Sequence, residues 1–553
     1  MSFYGYGKAL FLACLLAGGN IARADDFEAA QAAKVAQNPA GVRCELRFTD
    51  GKTRFQQGET IRVTLAFSSE TPGLYKLNVF FQAPPTLLPL GHFEVAPREG
   101  VVAPWAELPA PTFISVAGYV PDPVRLTEKP TEITVDLNEY LRFERPGTYR
   151  VAVTTNRVFV AGLKKQTSPI LLLGGQSVTS NSVPLEIVPT DRQWAHAQVE
   201  AQRALWKQPR RWDRWDEDVS NAPSFRYLPT LEAMDAIIER LGAGERPRSS
   251  EDETYYWRIS LLGFPDRAAL IGAMHRAIAR PDYPVSQGLL ETLTLLRALE
   301  IQKKPRTELT TAQRAALDTK PGIIDWPLDA LQKQFLPAEW QRAKIALVSK
   351  TGRARAMTLH SLLELAWQNP ALAREVGTAP IQNLQTQVPS IFGDLPELPQ
   401  QYLLDKSEWP RIKSPAMKAP LIALWKSLPP RDGYYAYFAD AVLARLLEVA
   451  PREGRALAIR EMAELRPRPT VQALLKVPGP ALPQLDAIWL KHLQSDGSAP
   501  ENSALLIGRF GSPAIESEVQ RIYSERLRQK TLTPDVKLGL QTYLKRASRL
   551  HSP

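Results

Sequence analysis

The chain has 553 residues, of which 44% are hydrophobic and 23% charged, and it carries a formal net charge of +10. This composition is typical of globular proteins and excludes wholesale disorder, and the length is sufficient for several domains. The charge is mild for this length and includes no long Lys/Arg run. It therefore argues against a nucleic-acid partner and favours peripheral contact with anionic surfaces, such as phospholipid headgroups or acidic cell-wall polymers.

The first 24 residues have the pattern of a cleavable signal peptide. Lys8 precedes a short apolar run over residues 9–17, and Ala22-Arg23-Ala24 supplies a small-x-small cleavage site. Cleavage after Ala24 would leave 553 − 24 = 529 residues with a net charge of +8, because Lys8 and Arg23 are removed with the signal. We therefore expect a periplasmic or secreted protein.

Cysteine content limits how the mature fold is held together. Cys14 lies in the predicted signal, so that Cys44 is the one thiol expected after cleavage. A single thiol cannot form an internal disulfide, and the fold must depend on packing even in an oxidising compartment. Cys44 lies in an alternating, strand-like context, which predicts that its side chain is buried.

Residues 25–41 are rich in Ala and Gln and predict a leader segment or a short amphipathic helix. From residue 42 to 190 the apolar residues alternate with polar ones, which is typical of half-buried antiparallel strands and predicts a β-sandwich. The clearest strand patterns are Ile61–Phe67, Tyr75–Val79, Thr131–Leu137, Tyr149–Val153 and Val183–Val188. Many Pro residues between 84 and 130 predict long loops there, with one or two edge strands.

After residue 190 the spacing of apolar residues changes to that of helices. Residues 191–225 form a Trp-rich junction, and residues 226–553 predict successive amphipathic helices separated by Pro, Gly or Asp breaks. The predicted helices include 193–206, 231–241, 268–279, 287–299, 356–367, 435–449, 455–465, 482–493 and 517–527. This succession predicts an irregular α-solenoid of helical hairpins. In its clearest hairpin, Ala456, Ile459 and Ala463 are expected on one face of the second helix.

Two segments carry a resemblance to known architectures. Phe143–Val151, with Pro146-Gly147 before Tyr149, resembles the penultimate-strand segment of immunoglobulin-like domains of bacterial secreted proteins. Ser503–Pro513 resembles the turn of a HEAT repeat. The whole chain thus resembles uncharacterised secreted bacterial proteins with an N-terminal immunoglobulin-like sandwich and a C-terminal HEAT-like helical array. The resemblance implies a multidomain fold, β then α, and implies nothing about function.

Motifs for metal or cofactor chemistry are missing from the sequence. The chain has six His, no HExxH, no CxxC and no EF-hand loop, and it has no GxSxG nucleophile signature or Gly-rich phosphate loop. We therefore predict no cofactor, no metal ligands and no catalytic residues from the sequence.

The Trp-rich junction is the strongest candidate ligand site, since four of the 12 Trp lie between Trp194 and Trp215. Aromatic rings stack on sugars or guanidinium groups, and carboxylates bind hydroxyls. The same residues fit a packed plug between the β region and the helices, or a paired-carboxylate glycosidase site. The candidate ligand-binding residues are Trp206, Arg210, Arg211, Trp212, Asp213, Trp215 and Asp216.

Three functional hypotheses follow from these patterns. The leading one is an exported, non-enzymatic interaction or scaffold protein that binds a protein or a cell-envelope polymer. The alternative is an envelope glycan or peptide hydrolase with its site at the Trp-rich junction. A third is a structural module of a larger assembly, and the sequence leaves the oligomeric state open.

Overall fold

The computed structural model describes residues 24–79, 90–103, 122–161, 175–207, 223–243, 258, 260–318, 328–394, 402–404, 407–428, 433–463, 470–495 and 500–550. The chain divides into two compact units, Met1–Ala343 and Lys344–Pro553. A β-rich N-terminal region is followed by helices to the C-terminus, so the predicted order of β then α is confirmed. Within the described residues, no helix is long and apolar enough to cross a membrane.

The strands among the described residues all lie in the first unit. They are β1 Val42–Phe48, β2 Arg54–Gln56, β3 Arg62–Ser69, β4 Tyr75–Leu77, β5 His92–Ala96, β6 Val101–Val102, β7 Val124–Arg125, β8 Thr131–Asp136, β9 Arg142–Phe143, β10 Gly147–Val160, β11 Gln176–Thr179 and β12 Val183–Val188. β1, β3 and β8 form an antiparallel sheet in the order β1-β3-β8. A larger sheet has the order β2-β12-β10-β4-β7, with β5 and β11 also paired to β10. Its one parallel pair among the described strands is β2 with β12.

Side chains from both sheets belong to one hydrophobic core. Leu46 and Leu65 come from the smaller sheet, Val151 and Leu185 from the larger one, and all are at most 1% exposed. Along β1 and β12, buried residues alternate with more exposed ones. This is because successive side chains of a strand point to opposite faces of the sheet. Cys44 belongs to this core as predicted, and burial is the main cause that raises the pKa of its thiol to about 12.

The segment in front of β1 is a helix that packs on the larger sheet. This helix, α1, spans Ala24–Val35. Lys34 Nζ lies 2.6 Å from Glu94 Oε2 on β5, and Gln31 Nε2 donates to the same oxygen at 3.0 Å. Phe27 packs with Ala96 and Ala152 of the sheet. The segment predicted as a leader or short helix is therefore part of the folded β region.

The corner before β10 is fixed by one side-chain hydrogen bond. Tyr149 OH donates to the backbone carbonyl of Arg145 at 2.8 Å, and its ring lies 5.0 Å from the ring of Phe143. Tyr149 is 3% exposed. The turn that precedes β10 is thus held against the strand it introduces.

Helices follow β12 through the rest of the first unit. They are α2 Arg192–Trp206, α3 Pro223–Tyr227, α4 Leu231–Ala243, α5 Arg267–Ala279, α6 Gln287–Gln302, α7 Thr311–Asp318 and α8 Asp329–Leu347, which contains the point of division between the units. Asp266 caps α5 by accepting from the backbone N–H of Ala269 at 2.9 Å. Asp191 caps α2 in the same way, through the N–H groups of Gln193 and Trp194.

The second unit is helical throughout its described residues. Its helices are α9 Gly352–Gln368, α10 Pro370–Val376, α11 Thr378–Ile391, α12 Trp409–Ile412, α13 Lys418–Ser427, α14 Gly433–Val449, α15 Pro451–Ala463, α16 Val471–Leu475, α17 Asp486–Gln494, α18 Pro500–Phe510, α19 Glu516–Gln529 and α20 Pro534–Leu550. α18 and α20 cross in close contact at Gly508 and Gly539, where a Cβ on Gly508 would lie 2.6 Å from the Gly539 carbonyl oxygen. Glycine is required at that crossing because no side chain fits between the two backbones.

The two predicted helices, α14 and α15, are present and in contact, but the face expected on α15 is only partly buried. The structure buries Ala458, Glu461 and Met462, whereas the predicted Ala456 is exposed and Ile459 and Ala463 are half-buried. Gly454 brings the start of α15 close to the backbone of α14, since a Cβ there would lie 2.9 Å from Leu447 N. This close approach sets the rotation of α15 about its axis, and hydrophobic spacing alone does not encode it.

Candidate functional site

A cavity of about 230 Å³ lies between the β region and the helices that follow α2, wholly within the first unit. We call it the β–α cavity. It is lined on the β side by Gln56, Gln57, Gly58, Ile61, Asn138, Glu139, Leu141, Arg142, Phe143, Glu144 and Ile187, and on the helical side by Arg226, Tyr227, Leu228, Pro229, Met234, Ser260, Gly263, Phe264 and Pro265. Pockets in proteins commonly form where two structural layers meet.

The β-side wall is positioned by the short 3-10 turn Leu137–Glu139 that follows β8. Ile61 N donates to Asn138 Oδ1 at 2.7 Å, and Asn138 Nδ2 donates to the carbonyl oxygen of Glu59 at 3.0 Å. The backbone N–H of Leu137 donates to the Ile61 carbonyl at 2.8 Å. These bonds tie the turn to the start of β3 and leave the next side chain, Glu139, directed to the helical side.

Glu139 and Arg226 form a nearly buried ion pair at the cavity. Arg226 Nη2 lies 2.6 Å from Glu139 Oε1, and the two side chains are 7% and 10% exposed. Tyr227 OH donates to the same carboxylate oxygen at 2.6 Å, and the Arg226 guanidinium lies 5.3 Å from the Tyr227 ring centroid. Because the charges are desolvated, the pair is strongly sensitive to the loss of either partner.

Ionisable groups beside this pair are displaced toward their neutral forms. Burial is the main cause that raises the pKa of Asp136; the Glu139 charge adds to the rise, while Arg62 and Arg226 oppose it. Burial likewise raises the pKa of Tyr227 well above its ordinary value. Tyr227 therefore stays protonated and can keep donating its hydroxyl to Glu139.

Gly58 permits the close approach of the two walls. Its φ is +83°, and a Cβ at this position would lie 2.7 Å from Pro229 Cδ and 2.9 Å from Leu228 Cα. A side chain here would meet both an unfavourable backbone conformation and the opposite wall. The turn between β2 and β3 is consequently packed directly on the segment between α3 and α4.

The cavity wall is balanced in charge and mixed in polarity. Arg142 Nη2 donates to Glu144 Oε1 at 2.6 Å, while Glu139 pairs with Arg226, so two cations face two anions. Arg142 Nε is buried and has no hydrogen-bond partner among the described residues. Apolar side chains, Phe143 among them, complete the wall. Such a surface suits an uncharged ligand that has both hydrogen-bonding groups and an apolar face.

The structure describes one of the seven ligand-binding residues predicted from the sequence. Trp206 ends α2, where its ring meets Phe225 edge-on at a centroid distance of 5.3 Å and lies 5.6 Å from the Arg240 guanidinium. The other six, Arg210, Arg211, Trp212, Asp213, Trp215 and Asp216, lie outside the described residues. The contacts of Trp206 fit the plug interpretation, and the ligand-binding prediction for the segment stays a prediction.

Two further clusters of buried polar side chains were not predicted from the sequence. In the first unit, the fully buried carboxylate of Glu339 meets His275 Nε2 at 3.0 Å, Arg342 Nε at 3.2 Å and the Arg297 guanidinium. Burial raises the pKa of Glu339, but the hydrogen bonds and charges of His275 and Arg297 outweigh it, so the net pKa lies below the ordinary value of 4.5. The carboxylate is therefore held in its charged form.

In the second unit, His360 is almost fully buried between two partners. Its Nδ1 lies 2.7 Å from Tyr402 OH, and its Nε2 lies 3.1 Å from Glu364 Oε2. Burial is the main cause that raises the pKa of Tyr402 well above its ordinary value, and the charges of Glu408 and Glu364 act in the same direction. His360 and Tyr402 are 2% and 0% exposed, so the cluster contributes to the packing of the second unit.

Sequence spacing gave no signal for the β–α cavity. Glu139 and Arg226 are 87 positions apart. Glu139 lies in a polar turn after a strand, and Arg226 lies in a short helix. The one local hint was Gly58, which follows two Gln at a turn. Comparisons with protein-family models, curated proteins and solved structures find no significant match to this chain.

Proposed function

We propose that the β region is an immunoglobulin-like sandwich and that the C-terminal helices form an irregular α-solenoid. The shared core of the two sheets supports the first part, and so does the hydrogen bond from Tyr149 OH to the Arg145 carbonyl, which has the geometry of a tyrosine corner. Two helix contacts support the α-solenoid. The consecutive helices α14 and α15 pack closely at Gly454, and α18 and α20 pack closely at Gly508 and Gly539. Stacked helical hairpins create extended surfaces that solenoid proteins use for binding.

For the protein itself we propose an exported, non-enzymatic interaction protein that binds a cell-envelope polymer. Residues 1–24 support export to the periplasm or the cell exterior, and the net charge of +8 after cleavage favours an envelope whose polymers are anionic. The observation that carries the proposal is the β–α cavity, which would receive one unit of the polymer, a sugar or a short peptide group.

The size of the cavity fits a single polymer unit. Its volume of about 230 Å³ lies just below the roughly 300–1,000 Å³ of pockets that enclose a drug-sized ligand. A sugar ring presents hydroxyls on its edges and an apolar face, and the wall offers matching groups. Glu139 and Glu144 offer acceptor oxygens, the Arg142 guanidinium group offers donors, and Phe143 and Phe264 supply apolar contact.

The test is co-sedimentation of the mature chain with isolated peptidoglycan, compared with the Arg142→Met variant. This substitution keeps an unbranched apolar side chain and removes the guanidinium group with its donors. We expect it to weaken binding at least tenfold, because a hydrogen bond to a charged group contributes roughly 1.5–3 kcal/mol and about 1.4 kcal/mol corresponds to a factor of ten. Arg47→Met is the matched control, because Arg47 also pairs with a carboxylate, Glu132, on an exposed strand position.

Three outcomes would contradict the proposal. Wild-type protein that does not sediment above the level of albumin would exclude binding to this polymer. Equal binding by the Arg142→Met variant would place the binding surface outside the cavity. Release of soluble sugars or peptides during the incubation would show catalysis and would revive the hydrolase alternative.

A further inference from the structure

A second cluster of side chains lies on the helices beside the β region. His196 and Glu200 are one turn apart on α2, and Glu232 lies in the first turn of α4. We propose that these three residues form a binding site for a divalent transition metal ion, with Zn²⁺ as the representative ion. The proposal goes beyond the proposed function, and neither depends on the other.

The donor atoms are already close to the geometry a metal needs. His196 Nδ1 lies 2.7 Å from Glu232 Oε1, and one ligand atom from each of the three residues lies within 4.8 Å of the others. In a tetrahedral zinc site, bonds of about 2.0–2.2 Å place the ligand atoms roughly 3.3 Å apart. Small changes in side-chain torsions are enough to bring the three donors to that spacing.

The two helices hold the ligands without backbone movement. Residues at i and i+4 share a helix face, which directs His196 and Glu200 to the same side of α2. Ala195 and Val199, which lie about 100° round the helix from the two ligands, are buried and anchor α2. On α4, the residue next to Glu232 is Ala233, which is fully buried. The ligand side chains therefore reach solvent from a fixed backbone, and an ion can enter directly.

The donor set determines which ion it would take. One imidazole nitrogen favours Zn²⁺ and other late transition metals over Mg²⁺ and Ca²⁺, which prefer oxygen ligands alone. Two carboxylates match the 2+ charge of the ion. Three protein ligands leave a coordination position for water.

One cation competes with the metal for this site. Arg203 Nη1 donates to Glu200 Oε1 at 2.8 Å, with the Glu200 side chain 51% exposed. An exposed ion pair of this kind contributes little to stability, so a metal can displace it. Removing Arg203 should consequently make metal binding tighter, which a purely structural role of the cluster would not produce.

The test is calorimetric titration of the mature chain with ZnCl₂, after dialysis against a chelator and without a polyhistidine tag. We expect one ion per chain. His196→Ala, Glu200→Gln and Glu232→Gln should each weaken binding at least tenfold, while Arg203→Ala should strengthen it. His92→Ala is the matched control, because His92 is an exposed histidine of the same unit, and it should leave the affinity unchanged.

Titration with Co²⁺ gives an independent readout, since its visible absorption reports the coordination geometry. We expect d–d bands in the wild type and in His92→Ala, and none in His196→Ala. Absence of Zn²⁺ uptake by the wild type would overturn the assignment. So would equal affinity of His196→Ala and wild type, or loss of binding only in His92→Ala.

Discussion

The buried ion pair of the β–α cavity offers the sharpest test of how the β region is joined to the helices. Glu139→Gln keeps an oxygen that accepts from Tyr227 OH but leaves the Arg226 charge without its countercharge. Arg226→Met keeps an unbranched apolar side chain and removes the cation that pairs with Glu139, next to the carboxyl group of Asp136. With side chains only 7% and 10% exposed, each single substitution should destabilise the protein by about 3–5 kcal/mol.

The double variant is expected to be little worse than either single one, because it leaves no uncompensated charge at this position. The coupling energy between Glu139 and Arg226 in the double-mutant cycle should therefore be about 3–5 kcal/mol. The measurement is urea-induced unfolding followed by circular dichroism, with the transition that reports the first unit analysed separately from that of the second. If the unfolding free energy of a variant depended less steeply on urea concentration, a different part of the protein would be unfolding, and such data would be excluded.

A matched cycle at an exposed pair calibrates the result. Arg43 on β1 pairs with Glu70, and their side chains are 75% and 60% exposed. The cycle of Arg43→Met and Glu70→Gln should give a coupling below about 1 kcal/mol, because water screens the charges. If the Glu139–Arg226 coupling were equally small, the pair would not be desolvated in solution, and the cavity wall described above would be wrong.

Three further substitutions test other parts of the first unit by urea unfolding. Gly58→Ala should lower the free energy of unfolding by about 3 kcal/mol, because φ is positive and the opposite wall is close. Gly51→Ala is the control, since Gly51 has a similar φ but open space around it, and it should lower the free energy by about 1 kcal/mol. Equal losses would contradict the close approach at Gly58. Tyr149→Phe should cost about 1 kcal/mol by removing the hydrogen bond to Arg145, and no change would show that the bond is not formed. Glu339→Gln should cost about 2 kcal/mol at neutral pH. The pKa of this carboxyl is lowered by folding, so it stabilises the protein above its ordinary value of 4.5, and that contribution is lost as the pH falls through the lower folded value. The variant should show a shallower loss of stability over that acidic range, and a parallel pH profile would refute the assigned charge state.

Much of the secondary structure could be predicted from local spacing. The strand Val183–Val188 and the helix Gly433–Val449 appear where the alternating and helical patterns place them, within a few residues. These elements depend on which residues lie two, three or four positions apart, and that information is fully contained in the chain.

Longer elements and helix rotations were harder to predict. β10 extends over Gly147–Val160, although its alternating pattern indicated only Tyr149–Val153, because it pairs with different strands along its length. α15 is rotated relative to its apolar spacing, since Gly454 allows a close contact with α14. In both cases a neighbouring element selects among structures that the local sequence permits.

The sequence by itself determined the order of the two regions, the burial of Cys44 and most element positions, because hydrophobic periodicity is a local property. Only the tertiary structure brought Glu139 to Arg226 and His196 to Glu232, across 87 and 36 positions. Such pairs carry no spacing signal, since their approach depends on how whole elements pack. Candidate sites assembled from distant elements are therefore found in the folded molecule and tested there.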